Sequence, residues 1–251
     1  MRFTNSVLAV ASALFLASFS LAQMPAAAPT PTPPQTPAQA KPPASEYDRT
    51  LLKPALLKEK APDTFQVKFE TTRGDFTMDV TRAWAPNGVD RFYNLVRHHF
   101  YDNMVIFRVV SGFVTQFGIS SYPPVNSAWI DAKIPDDKVI KSNKRGYVTF
   151  ATGGPNTRTT QIFINYGDNS RLDAMGFTPF ATVNKDGMKV VEKLYDQYAD
   201  APTNEQGSIQ AQGKAFLDKK YPKLDVIKHA TIIAPAAAEP APAAAPAPSN
   251  P

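Results

Sequence analysis

Eight short apolar or alternating runs fill the middle of this chain, several of them bounded by Gly, Pro or Asn. They are Phe65–Glu70, Phe76–Val80, Met104–Val110, Phe113–Phe117, Tyr147–Ala151, Gln161–Asn165, Phe180–Val183 and Asp225–Ile233. Runs of this length with period-two alternation read as strands, and Thr72-Arg73-Gly74-Asp75 between the first two reads as a hairpin turn. Pro86 opens a helix whose Val89, Phe92, Tyr93 and Val96 form one apolar stripe, and Met188, Val191, Leu194 and Tyr195 mark a second. A third is expected over Ile209–Lys220, stopped near Pro222. Many short strands with two helices far apart in the chain predict a mainly β fold, a closed antiparallel barrel with helices covering its ends. No internal repeat is visible, and Ile119–Gly146, with weak periodicity, is long enough to be a functional surface loop.

The two ends of the chain cannot contribute to that core. Met1–Ala22 combines a positive start at Arg2 with an apolar stretch from Val7 to Leu21 and closes on Ser20-Leu21-Ala22, so a signal peptide over 1–22 is expected, cut before Gln23. The apolar run is short for a membrane span, which needs roughly 20 residues; an uncleaved membrane anchor is the alternative. The expected location is therefore outside the cytoplasm, with no stable membrane insertion after cleavage. Residues 23–45 and 234–251 are dominated by Pro and Ala and read as an extended linker and a disordered tail. The folded domain is expected within 46–233. With no cysteine in the chain it is held by its core alone, which a domain of roughly 170–190 residues is large enough to supply.

Several function classes fall away. A formal net charge of +5, dispersed along the chain, is too mild for nucleic-acid binding. His98, His99 and His229 have no metal-ligand spacing with acidic residues, Gly153-Gly154-Pro155 lacks the Lys-Ser/Thr of a phosphate loop, and no Ser sits in a nucleophile elbow.

What remains are two segments, FRVVSGFVTQFG at Phe107–Gly118 and FATGGPNTRTTQIFIN at Phe150–Asn165. Each sets polar groups, Arg108, Gln116 and Gln161, into an apolar strand-like run with Phe113 and Phe163 nearby. Burying an unpaired Arg is costly, so Arg108 either faces water or stands at the rim of an apolar pocket as a positioned donor.

Together these segments resemble the signature stretches of the cyclophilin family of peptidyl-prolyl cis–trans isomerases, and the resemblance extends over about 64–233, through APNGVDRFYNL and RLDAMGFTPFATV. It implies an eight-stranded antiparallel barrel capped by two helices, acting on proline-containing polypeptides without cofactor or metal. By the same resemblance Arg108 is the catalytic arginine, with Gln116 holding it. Phe113, Val114, Phe163 and Leu172 wall the proline pocket, Gln161 is its second glutamine, and Ala151 with the backbone of Thr152 receives the residue before proline. Two departures stand out. Arg171 replaces a pocket Trp, which implies weak cyclosporin binding, and Met175-Gly176-Phe177-Thr178 replaces a pocket-wall His, with Phe177 able to fill the space. The expected function is acceleration of X–Pro isomerisation during folding of exported, periplasmic proteins. The alternative is a non-catalytic proline-peptide-binding adaptor or chaperone on the same fold.

Overall fold

The structure, a computed structural model, describes residues 46–233. The expected signal peptide over 1–22, the linker over 23–45 and the tail over 234–251 lie outside the described residues.

Among the described residues nine strands form one curled sheet: β1 (Thr64–Thr71), β2 (Gly74–Thr81), β3 (Met104–Val105), β4 (Arg108–Val110), β5 (Val114–Phe117), β6 (Tyr147–Phe150), β7 (Ile162–Asn165), β8 (Pro179–Val183) and β9 (Val226–Ile233). Their order across the sheet is β3-β9-β1-β2-β8-β6-β7-β5-β4, and every pairing is antiparallel. In β1 and β2 buried and half-buried residues alternate, as a sheet with one covered face requires. All four residues of β5 and of β7 are buried, which places these strands in the interior.

The expected closed eight-stranded barrel is corrected here: the sheet is an open, curled half-barrel. The single strand read over Met104–Val110 breaks at Ile106-Phe107. Its first part pairs with β9 and its second with β5, so the ladder does not close between these consecutive pieces of chain.

Among the described residues five α-helices accompany the sheet: α1 (Pro86–Arg97), α2 (Pro123–Trp129), α3 (Lys185–Val191), α4 (Gln206–Gln212) and α5 (Lys214–Lys220). Val89, Phe92, Leu95 and Val96 of α1 are buried in the main core, where Phe92 meets Phe69 and Phe180 at ring-centroid distances of 6.5 and 5.0 Å. α3 is capped by Asn184, whose side chain accepts from the Gly187 N–H at 2.8 Å; it ends at Val191, short of the expected stripe through Tyr195. The expected helix over Ile209–Lys220 is two helices, because Gly213 adopts a φ of +64° between them. The weakly periodic stretch after Ile119 contains α2, whose Trp129 is buried and donates to the Leu51 carbonyl at 2.8 Å.

A second, smaller core lies over the break between β3 and β4. Val105, Phe107 and Ile119 are covered there by Ile209 of α4, Leu217 of α5 and Tyr221. Apolar side chains at the unclosed junction are thus removed from water by the α4–α5 pair.

Gly118 ends β5 with a φ of +119°, and a Cβ there would lie 2.5 Å from both Gln161 Cα and the Thr160 carbonyl oxygen. Backbone atoms cannot yield cheaply, so Gly118→Ala is expected to destabilise by about 2 kcal/mol. A urea midpoint unchanged in the variant would refute this.

Candidate active site

The β4–β5–β7 register sets out the polar groups. Arg108 on β4 lies opposite Gln116 on β5, and Gln116 lies opposite Phe163 on β7. Arg108 Nη1 donates to Gln116 Oε1 at 3.0 Å, and Gln116 Nε2 donates onward to Gln161 Oε1 at 2.9 Å. With only 6 % of Gln116 exposed, both ends of its amide are engaged and its orientation is fixed. Arg108 retains about a fifth of its side-chain exposure, so its fork stands at a rim rather than inside the core.

Beside this rail Val114, Phe163 and Leu172 form a small apolar cluster, joined by half-buried Phe113, Ala151 and Phe177. Phe177 meets Phe163 edge-on at 5.7 Å between centroids. Leu172 comes from a 3-10 turn over Ser170–Met175. Together with Arg108, Gln116 and Thr152 these residues enclose a cavity of about 200 Å³. Eight of the nine residues singled out from sequence line it; the ninth, Gln161, touches it through Gln116. Arg171 lies outside, its guanidinium 4.9 Å from the Phe113 ring centroid, while that of Arg108 is 5.5 Å away from the same ring.

Two polar clusters fix the cavity's walls. Thr152 Oγ1 lies 2.8 Å from Thr157 Oγ1 and donates to the Gly154 carbonyl, so its side chain braces its own turn. The turn is anchored from Asp136, whose carboxylate accepts from the Asn156 N–H at 2.7 Å and from Arg158 Nε at 3.0 Å. On the opposite wall Asp173 accepts from Ser142 Oγ at 2.5 Å and from Asn143 N and Nδ2 at 2.9 and 2.7 Å, and Asn143 also donates to the Phe177 carbonyl at 2.8 Å. Burial pulls the Asp173 carboxyl upward, but the hydrogen bonds from Ser142 and Asn143 outweigh it and hold the group below its ordinary 3.8. A carboxyl lowered in the folded state stabilises above the unfolded pKa and loses that contribution as pH falls through the folded one. Thermal unfolding followed from about pH 5 to 2 is therefore expected to fall more steeply for the unaltered protein than for Asp173→Asn, which cannot titrate there. Parallel profiles would remove Asp173 from the acid response.

A larger open hollow of about 670 Å³ is lined in part by Asp90, Arg91 and Asn94 of α1. Those groups are committed to the fold. Asp90 holds Arg82 at 2.8 Å, Arg91 Nη1 donates to the Ala132 and Thr159 carbonyls, and Asn94 Nδ2 donates to the Glu59 carbonyl. Chemistry is therefore better sought in the smaller cavity.

That cavity also has lining from residues the sequence reading passed over. Thr203, in the stretch leading into α4, and Gln206, the first residue of α4, close one side, and Asp200 accepts from Arg108 Nε at 2.5 Å. The separation of 92 residues between Asp200 and Arg108 hides the pair from any local pattern.

The described residues thus form a curled antiparallel sheet carrying an apolar cavity, with a held arginine on its rim. A family model described as cyclophilin type peptidyl-prolyl cis-trans isomerase/CLD matches residues 66–214. The chain is 33 % identical over 131 residues to peptidyl-prolyl cis-trans isomerase cypE of Dictyostelium discoideum, covering 51 % of this chain and 83 % of that protein. It is likewise 33 % identical over 132 residues to human peptidyl-prolyl cis-trans isomerase-like 3, covering 51 % and 80 %. The crystal structure of a Cryptosporidium parvum cyclophilin type peptidyl-prolyl cis-trans isomerase is similar in fold, with a TM-score of 0.50 and 18 % identity over 68 % of this chain and 98 % of that one. The chain belongs to the cyclophilin-type peptidyl-prolyl cis–trans isomerase family.

Proposed function

We propose that this protein is a bacterial, exported prolyl isomerase that accelerates cis–trans exchange of X–Pro bonds in other exported, periplasmic polypeptides. The observation that carries the catalytic reading is Arg108, held by Gln116 on the rim of a cavity walled by Phe113, Phe163 and Leu172. An X–Pro bond exchanges over tens to hundreds of seconds because amide resonance imposes a barrier of about 18–20 kcal/mol. As the amide twists, its nitrogen recovers a lone pair. A donor aimed at that nitrogen favours the twisted form over both planar forms, which is differential binding of the transition state. Arg108 suits the task because it is always charged and its fork is planar and fixed. Phe113, Val114, Phe163 and Leu172 take the proline ring, while Ala151 and the backbone of Thr152 receive the preceding residue.

Arg171 packs over Phe113 where many relatives have a pocket Trp, and this supports weak cyclosporin binding. Export rests on the composition of residues 1–22, which lie outside the described residues; no described helix is long and apolar enough to cross a membrane. An N-terminal mass consistent with cleavage before Gln23 would support export, and a retained Met1 in the mature protein would count against cleavage.

Cis–trans exchange of a short Ala-Pro peptide, followed by NMR with the purified protein, tests the catalytic reading. Accelerated exchange is expected. Tight peptide binding without acceleration would favour the alternative, a non-catalytic proline-peptide adaptor or chaperone on the same fold.

A further inference from the structure

Four hydrogen bonds join into one circuit at the cavity. Asp200 accepts from Arg108 Nε at 2.5 Å, and Arg108 Nη1 donates to Gln116 at 3.0 Å. Gln116 then donates to Gln161 at 2.9 Å, and Gln161 Nε2 donates to Gln206 Oε1 at 3.0 Å. The circuit begins and ends on one stretch of chain, residues 200–206, which packs beside the β4–β5–β7 face without being part of it. This stretch is not loosely held. It leads into α4 and α5, whose Ile209 and Leu217, with Tyr221, are buried against Val105, Phe107 and Ile119, and Tyr221 donates to Glu205 at 2.6 Å. Phe107 immediately precedes Arg108, so one small core anchors both partners of the Asp200–Arg108 pair.

We propose that residues 200–206 are a working wall of the active site. Asp200 is the positioning residue that fixes the Arg108 fork from its Nε side, and Gln206 steadies Gln161. This rests on the reading of Arg108 as the donor to the twisted amide. A guanidinium held through Nε and one Nη1 hydrogen keeps its orientation while its remaining N–H groups stay available. Because Asp200 is more than half exposed, the effect is that of an aimed contact at the protein surface rather than of a buried charge pair.

The test compares the full chain with its Asp200→Ala, Asp200→Asn and Arg108→Ala variants in exchange of an Ala-Pro peptide. Asp200→Ala is expected to lower kcat/KM by about 3–10-fold, mostly in kcat, as befits an exposed positioning contact. Asp200→Asn keeps an acceptor and is expected to recover at least half of that loss. The Arg108 Nε–H signal in NMR is expected to be sharp in the unaltered protein and in Asp200→Asn, and broadened in Asp200→Ala. Equal or greater activity in Asp200→Ala, or an Asn variant as slow as the Ala variant, would overturn the positioning role. Arg108→Ala separates the two levels: if it is slow while Asp200→Ala is not, only the wall fails, and if Arg108→Ala is itself unimpaired, the catalytic reading fails with it.

Discussion

Replacing Arg108 by alanine is expected to lower kcat/KM for an Ala-Pro peptide by about 10²–10³-fold while the protein stays folded, the range for losing one preorganised donor. The rate falls because the cavity would still bind proline through Phe113, Phe163 and Leu172 but would lack the group that distinguishes a twisted amide from a planar one. The fold persists because Arg108 stands on a rim and its removal opens little of the core. Its ion pair with exposed Asp200 contributes little to stability. KM should change much less than kcat, since ground-state contacts with the ring remain. Peptide exchange measured by NMR, with urea unfolding run in parallel, separates these effects. Turnover near that of the unaltered protein would end the assignment of Arg108.

The largest loss of stability is expected at Asp137. Its side chain is 5 % exposed and accepts from Asn87 and Gly88 N–H at 3.0 and 2.9 Å and from Arg158 Nη1 at 3.1 Å. α1 has Ala85 at its N-cap with no local side-chain cap, so a carboxylate from 50 residues away satisfies its first N–H groups and meets the positive end of its dipole. Arg158, 2 % exposed, depends on the same carboxylate together with Asp136 and the Pro135 carbonyl. Asp137→Ala leaves a buried guanidinium short of a partner and a helix end uncapped, and is expected to cost about 3 kcal/mol. Asp137→Asn, which keeps an acceptor for the helix, should lose less. Both follow from urea midpoints, and an alanine variant within about 0.5 kcal/mol of the unaltered protein would contradict the role given to Asp137.

The contrast between Arg108 and Arg158 shows what local pattern discloses. Alternation in β1 and β2 and the stripe on α1 are local properties, so those elements are readable residue by residue. Arg108, Gln116, Gln161 and Phe163 stand in or next to two strand-like runs, and the strand register brings them around one cavity. Arg158 attracts no notice in sequence, yet among the described residues it is the arginine that the fold buries. Its acidic partners lie more than 20 residues earlier in a stretch with no clear period. Asp200 and Gln206 are hidden for the same reason, since each meets its partner only after α4 and α5 have docked. Closure of the sheet was also beyond reach, because nothing in Met104–Val110 marks the point where pairing passes from β9 to β5.

The position of β9 has a consequence for the order of events during synthesis. β1 is flanked by β2 on one side and by the last strand on the other, with Gln66 opposite Ile233 and Phe69 opposite Ala230. Until residues 226–233 emerge, β1 presents an unpaired edge, and the small core under α4 and α5 is barely complete. A chain ended before Val226 is therefore expected to aggregate rather than fold, and a soluble, cooperatively unfolding fragment of that kind would contradict this. Assembly of this domain thus waits for β9, and until that strand arrives its first strand stays bare along one side.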